Sequence, residues 1–213
     1  FDIIFNQKKS FLLQFGLECD VLLPALLLNN VVLQWVTRLK YLGVWFLAGK
    51  SFSVDHCVNR TKFLSAVFGI LQKCGNISEI LWNVIQSSCL SILLYGIDSV
   101  HLKTAQVQKL SVAYNTAVRR CFHISQFTSV RNILYFLGTL PVKILLEERR
   151  LMLVKSCISC SGVLGLCGLL SMNEEGFMDV CYMYDVHCNL SKCDIKNNIR
   201  LHFLDVLRED GLV

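Results

Sequence analysis

The strongest constraint in this sequence is an apolar stretch of 25 residues, from residue 76 to residue 100. Asn76 followed by Glu79 is the capping-box pattern that begins a helix. The apolar side chains that recur at three- and four-residue spacing are Ile77, Ile80, Leu81, Val84, Ile85, Cys89, Ile92, Leu93 and Tyr95. Gly96 suits the left-handed residue that follows a helix. The pattern predicts one long helix, with its apolar face in the core.

The rest of the chain divides by its periodicity into a short β region and a longer helical region. Runs at 31–36 and 39–46 are rich in β-branched and aromatic residues, and they predict two strands joined by Thr37 and Arg38. A further strand, buried in the core, is expected in the apolar run that follows Ser10. From residue 53 onward the apolar residues recur with a period near 3.6. Helices are predicted to start at Asp55 (or Ser53), Thr104, Thr128 and Pro141. A last helix is predicted over residues 197–209.

The predicted fold is therefore mainly α. A small β-hairpin is followed by a helical bundle and by a helical tail that the sequence defines poorly. The corresponding domain boundaries are 1–47, 48–155 and 156–213.

Three uncharged runs raise the question of membrane helices. They cover residues 21–37, 80–97 and 156–173, each 17 or 18 residues long, and the mean hydropathy is +0.49. A spanning helix needs about 20 apolar residues, and every run contains amides or hydroxyls that would lie at hydrocarbon depth. We therefore expect buried core instead of membrane spans.

The cysteines and the start of the sequence predict a reducing compartment. Eleven cysteines are scattered without a regular framework, and no secretory signal pattern opens the sequence. We expect reduced thiols in an intracellular protein, in the nucleus or the cytoplasm.

The charge is distributed unevenly along the chain. Residues 47–155 contain thirteen basic and five acidic side chains, whereas residues 156–213 contain four basic and eight acidic ones. A basic segment of this kind favours a polyanionic partner. The expected polyanion-binding surface therefore lies in the middle of the chain and not in the tail.

Four short segments occur along the chain in an order that is typical of a known protein family. They are N-x-x-K-S at 6–10, K-Y-L-G at 40–43, S-S-C-L-S-I-L-L-Y-G-I-D at 87–98 and S-V-R-N-I-L-Y-F-L-G-T-L-P-V at 129–142. In this order they resemble the palm end, primer grip, thumb and post-thumb of the reverse transcriptases encoded by LINE-type, non-LTR retrotransposons. The resemblance covers about residues 5–155.

The resemblance implies that the chain is a downstream part of an RNA-directed DNA polymerase and holds the template and primer. Lys9 matches a palm lysine implicated near the phosphates of the incoming nucleotide; the alternative is an ordinary solvated lysine in a turn. The primer-grip positions are Lys40, Tyr41, Leu42 and Gly43. Gly43 fits a site where one backbone must pass close to another. The alternative for this segment is a plain core hairpin.

Basic side chains of the helical region are the expected phosphate contacts. They are Lys62, Lys73, Arg119, Arg120 and Arg131. A solvated helix face is the alternative for each one. The expected partners are RNA and DNA, bound without sequence preference, together with the palm and fingers that lie upstream in such enzymes.

Polymerase chemistry needs two or three carboxylates that hold two divalent ions, and the sequence contains no Asp-Asp pair. The segment Y-M-Y-D at 182–185 has Val186 where the family's Y-x-D-D has its second aspartate, and it lies after the thumb. The adjacent acids Glu147–Glu148 and Glu174–Glu175 diverge on a helix, so we expect them to be solvated. The chain alone is therefore expected to be no enzyme, with no cofactor of its own. Magnesium is expected in an intact parent only.

The tail is rich in possible metal ligands: Cys157, Cys160, Cys181, His187, Cys188 and Cys193. Their spacing matches no ordinary zinc finger or knuckle, so we expect no metal there and apolar cysteines on helices. The competing interpretations of the whole chain are a helical membrane or protein-interaction module without a nucleic-acid role, and a decayed gene fragment.

Overall fold

The computed structural model describes residues 5–21, 23–74, 78–97, 100, 102–160, 162, 165, 176–187 and 189–209. The fold is mainly α-helical with a few small sheets, as predicted. The chain divides into two compact units, Phe1–Val58 and Asn59–Val213. The domain boundaries proposed from the sequence stay predictions.

The first unit contains short strands and one 3₁₀ turn, Gln7–Lys9. The strands are β1 (Phe11–Leu12), β2 (Leu27–Leu28), β3 (Val31–Val32), β4 (Gln34–Trp35), β5 (Arg38–Tyr41), β6 (Val44–Leu47) and β7 (Ser53–Val54). β1 pairs with β4 in parallel, and β2 pairs with β3 in an antiparallel hairpin. β5, β6 and β7 form an antiparallel sheet in that order.

Two tight turns shape these strands. Leu42 and Gly43 both have positive φ, 46° and 85°, and they join β5 to β6. Asn29 and Asn30, at 48° and 63°, join β2 to β3 in the same way. Two-residue turns with positive φ match the twist of the flanking strands. The prediction of one strand over 39–46 is therefore wrong, because the chain folds back at Leu42.

Apolar side chains of the first unit are widely exposed. Among its described residues only Val54 and His56 are buried. Side chains that are more than half exposed include Phe5, Leu17, Val21, Leu27, Val32, Tyr41, Leu42 and Phe52. Phe11, in the strand expected to be buried after Ser10, is 41% exposed. That expectation is wrong because the two-residue strand pairs only along its edge with β4.

The helices are α1 (Cys57–Lys73), α2 (Ser78–Ser88), α3 (Leu90–Leu93), α4 (Thr104–Cys121), α5 (Arg131–Phe136), α6 (Val142–Ile158), α7 (Phe177–Met183) and α8 (Lys192–Glu209). Asp55 caps α1 as predicted, because its carboxylate accepts from the Cys57 backbone N–H at 2.9 Å. Pro141 immediately precedes α6. The cap of α4 is Lys103 and not Thr104.

The long helix predicted over 76–100 consists of α2 and α3, interrupted at Cys89. Its buried side chains are Leu81, Trp82, Ile85, Cys89, Leu93, Leu94 and Ile97. Ile80 is 58% exposed, and Ile92 is partly exposed. Their assignment to the core is therefore wrong, because Leu81, Trp82 and Ile85 form the buried face of α2 and Leu93 that of α3. Gly96 has the predicted left-handed conformation, with φ 68°; Gly75, Asn76 and Ile77 lie outside the described residues.

Two hydrophobic clusters form the core of the second unit. The first joins α1 to α5 and includes Phe63, Val67, Trp82, Ile85, Leu93, Leu110, Tyr114, Val118, Leu134 and Val142. The rings of Trp82 and Tyr114 meet edge to face at 5.4 Å. The second cluster joins α6, α7 and α8 and includes Leu151, Val154, Phe177, Cys181, Ile195, Ile199, Phe203 and Leu207. Helix α6 contributes to both clusters, so it connects them.

Candidate nucleic-acid interface

The last turn of α4 contains the two arginines singled out from the sequence. Tyr114, Ala117, Val118 and Cys121 are buried in the first cluster, which leaves Arg119 and Arg120 on the opposite side of the helix. Arg120 is exposed, whereas Arg119 is half-buried. Cations at this position also interact favourably with the negative end of the helix dipole.

Arg119 is engaged by the loop that follows α4. Its Nε and Nη2 donate to the Thr128 carbonyl oxygen at 3.2 Å and 3.1 Å. Its own carbonyl oxygen accepts from the Ile124 N–H at 2.9 Å. Both interactions fix the loop over 122–130 against the end of the helix.

A cavity of about 560 Å³ opens between the end of α4 and this loop. Its lining residues are Thr116, Arg119, Arg120, His123, Ile124, Ser125 and Gln126. Six of these side chains contain hydrogen-bond donors, two of them are permanently charged, and none of the described lining residues is acidic. The cavity can therefore accept an anionic oxygen group such as a phosphate.

His123 shapes the cavity and was not among the phosphate contacts expected from the sequence. It has a positive φ of 53°, in the left-handed region. This conformation ends α4 and turns the chain so that Ile124 to Gln126 line the cavity. A histidine tolerates this region better than most residues do, but its proximity to helix α4 in sequence was the only available signal.

The remaining expected phosphate contacts lie elsewhere in the second unit. Lys62 and Lys73 are exposed on α1. They are eleven residues apart, so they lie on one face of the helix, roughly 16 Å apart along its axis. Arg131 is the first residue of α5 and is half-buried. The structure therefore brings Arg119 and Arg120 together in one cavity, and none of these other three lines it.

The primer-grip positions form the tip of the β5–β6 hairpin. Tyr41 is 62% exposed and Leu42 is 74% exposed, and Lys40 is exposed with its Nζ 5.9 Å from the centre of the Trp45 ring. Gly43 has the positive φ that this two-residue turn requires. The tip of this hairpin is exposed in the described structure, and both the primer-grip and the core-hairpin interpretations stay predictions.

Lys9 lies exposed at the end of the 3₁₀ turn. The Asn6 side chain begins this turn by accepting from the Lys8 N–H at 3.0 Å. Both the solvated-lysine and the phosphate-binding interpretations are compatible with an exposed lysine here.

The sequence predicted that Glu147 and Glu148 are solvated, and this prediction is wrong. Their side chains are only 18% and 16% exposed. The Tyr184 hydroxyl donates to Glu147, and Lys196 of α8 lies 3.9 Å from Glu148. These contacts fasten α6 to the last two helices. Burial, together with the Glu147 carboxylate, raises the pKa of Tyr184. Glu174 and Glu175 lie outside the described residues.

The Cys/His-rich tail has no metal-binding arrangement in the described part. No group of three or more His, Cys, Asp or Glu side chains there could hold an ion, and Cys188 lies outside it. Cys181 is buried. His187 forms an ion pair with Asp185 at 3.0 Å when it is protonated.

No helix within the described ranges is long and apolar enough to cross a membrane. Of the three uncharged runs, most of the one at 156–173 lies outside those ranges.

Comparison of the chain with protein-family models, with curated proteins and with solved structures finds no match. The resemblance to LINE-type reverse transcriptases therefore stays a prediction from the sequence.

Proposed function

We propose that this chain is a downstream part of the reverse transcriptase of a LINE-type, non-LTR retrotransposon and that it holds an RNA/DNA template–primer by its phosphates. The observation that supports this most directly is the cavity containing Arg119, Arg120 and His123. Phosphate contacts of this kind fix the position of a duplex without reading its sequence. A thumb needs such contacts because it must hold every template.

The charge distribution supports the same function. The segment 47–155 has a net charge of +8, and Lys62, Lys73 and Arg120 are exposed within it. Exposed cations on a common segment steer a polyanion toward the surface and add to affinity through counterion release.

The first unit also supports the proposal. Two buried residues among those described are far fewer than an independent domain of this size needs. A piece of a larger sheet domain would expose its apolar strands in this way when the rest of that domain is absent. In the proposed parent, the palm and fingers would cover these side chains.

A template–primer-holding fragment without metal-binding carboxylates should not polymerise DNA. We expect no primer extension by the purified chain on poly-rA/oligo-dT with Mg²⁺ or Mn²⁺, because two divalent ions would lack their ligands. Extension that persists after chromatographic removal of contaminating polymerases would contradict this expectation.

The test of the function is binding of an RNA–DNA hybrid, measured by fluorescence anisotropy over a series of salt concentrations. The logarithm of the binding constant should fall with the logarithm of salt by roughly 0.9 for each phosphate contacted. The double variant Arg119→Gln/Arg120→Gln should reduce the magnitude of this slope by about one to two. It should also lower the affinity for hybrids of all sequences by the same factor.

Arg200→Gln/Arg208→Gln is the matched control, because it removes two exposed arginines from α8 in the acidic tail. It should leave the slope unchanged. A binding constant that does not change with salt concentration would refute the proposed phosphate contacts. An equal change of the salt slope in both double variants would refute them as well.

A protein-interaction module is the second candidate, and the exposed apolar side chains of the first unit favour it. It predicts self-association or partner binding without any affinity for the hybrid. Sedimentation of the chain with and without the hybrid distinguishes the two.

A further inference from the structure

The loop that lines the cavity of Arg119 and Arg120 exposes an aromatic ring to solvent. Phe127 is 88% exposed, which is unusual for a side chain of this size. It follows Gln126, which lines the cavity, and precedes Thr128, whose carbonyl oxygen binds Arg119. Its Cα therefore lies about 3.8 Å from that of a cavity residue.

The backbone of this loop is held in a defined turn. The Thr128 N–H donates to the Ser125 carbonyl oxygen at 3.1 Å, so Gln126 and Phe127 are the central residues of a β-turn. The Phe127 N–H lies 3.4 Å from the Ser125 hydroxyl oxygen. With Arg119 fixed on Thr128, the position of Phe127 beside the cavity does not depend on a binding partner.

We propose that Phe127 and the cavity of Arg119, Arg120 and His123 form a subsite for one unpaired nucleotide, with the phosphate in the cavity and the base stacked on the ring. This inference rests on the proposed nucleic-acid-binding function and names its substrate class as single-stranded nucleic acid. Surfaces that bind single strands combine cations along the backbone with aromatic rings under the bases. Within a duplex both faces of each base are already covered, so the ring selects unpaired nucleotides.

The experiment compares a single strand that has bases with a strand that has the same phosphates but no bases. Fluorescence anisotropy measures the affinity of the chain for labelled oligothymidylate and for an abasic deoxyribose-phosphate strand of the same length. The wild-type chain should bind the strand with bases about tenfold more tightly. Phe127→Ala should remove this preference and leave affinity for the abasic strand unchanged, whereas Phe127→Trp should preserve it.

Phe136→Ala is the matched control, because Phe136 is 83% exposed and is not among the residues that line the cavity. It should retain the preference for bases. Circular dichroism checks that each variant is folded.

The other outcomes separate the subsite from the broader function. Salt-dependent binding of an RNA–DNA hybrid without any preference for bases would overturn the subsite alone. An equal loss in Phe127→Ala and Phe136→Ala would overturn it as well. A wild-type chain that binds neither hybrid nor single strand would overturn both the subsite and the proposed function.

Discussion

Arg119 donates two hydrogen bonds to the backbone carbonyl oxygen of Thr128, at 3.2 Å and 3.1 Å. Arg120, its neighbour in sequence, is exposed beside the same cavity. Two arginines that look equivalent in the sequence therefore have different roles. Arg119 uses two of its five N–H donors to position the loop and also lines the cavity, whereas Arg120 is exposed and available to a ligand.

The first prediction concerns the separate replacement of Arg119 and Arg120. Arg119→Gln should lower the free energy of unfolding by about 1 kcal/mol, because a charge-assisted bond to Thr128 is lost. Arg120→Gln should change it by less than about 0.5 kcal/mol, as surface substitutions do. Urea titration measures both. Equal destabilisation by the two variants would show that the Thr128 contact has no energetic role.

The second prediction concerns the face of α2 that packs in the first cluster. Ile85 is 1% exposed, so Ile85→Ala should destabilise the chain by about 2–5 kcal/mol through lost burial and a residual cavity. Ile80→Ala is the matched control on the same helix, since Ile80 is 58% exposed, and its effect should be much smaller. Thermal unfolding followed by circular dichroism compares them. A larger effect at Ile80 would mean that the helix is rotated.

Tyr184 provides the third prediction, through its hydrogen bond to the half-buried Glu147. Tyr184→Phe removes the donor and leaves the carboxylate with Lys143, 4.0 Å away. The free energy of unfolding should fall by about 1.5–3 kcal/mol, the usual range for a hydrogen bond to a charged group. Tyr182→Phe should be neutral, because Tyr182 is 75% exposed. Denaturant unfolding of both variants tests this, and a neutral Tyr184→Phe would contradict it.

The fourth prediction concerns the dependence of stability on pH. His56 is 8% exposed, and neither ring nitrogen has a hydrogen-bond partner in the described residues. Burial lowers its pKa below the ordinary 6.5, and the nearby Asp55 carboxylate opposes this shift. Below pH 6.5 the unfolded chain binds a proton that the folded chain resists, so stability falls as the pH falls through this value.

Replacing His56 with leucine should remove this dependence. Unfolding free energies between about pH 5 and 7 should have a smaller slope in His56→Leu than in the wild-type chain. An unchanged slope in His56→Leu would mean that His56 binds protons equally in the folded and the unfolded chain, which would contradict the lowered pKa.

Local signals in the sequence were sufficient for much of the helical framework. Asp55 and Pro141 set the starts of their helices, and Gly96 adopts the left-handed conformation that follows a helix end. Each of these effects involves atoms only a few residues apart, so the sequence determines them directly. Helix α8 begins at Lys192, five residues before its predicted start, and Ser191 and Asp194 form a reciprocal cap there. The S-x-x-D pattern of this cap is present in the sequence.

The faces and partners of these helices depended on contacts between distant parts of the chain. Apolar side chains at Ile80, Leu81, Trp82, Val84 and Ile85 surround most of α2, so periodicity alone could not select its buried face. Trp82 and Leu81 are buried because α4 packs against them around Tyr114.

The charged groups show the same limit. The sequence determined that Arg119 and Arg120 follow one another at a helix end, and that Glu147 and Glu148 lie on one helix. Only the tertiary structure decided that Arg119 binds the Thr128 carbonyl and that Glu147 meets Tyr184, 37 residues away. Electrostatic partners are set by distance in space, and the fold brings these groups together from separate elements.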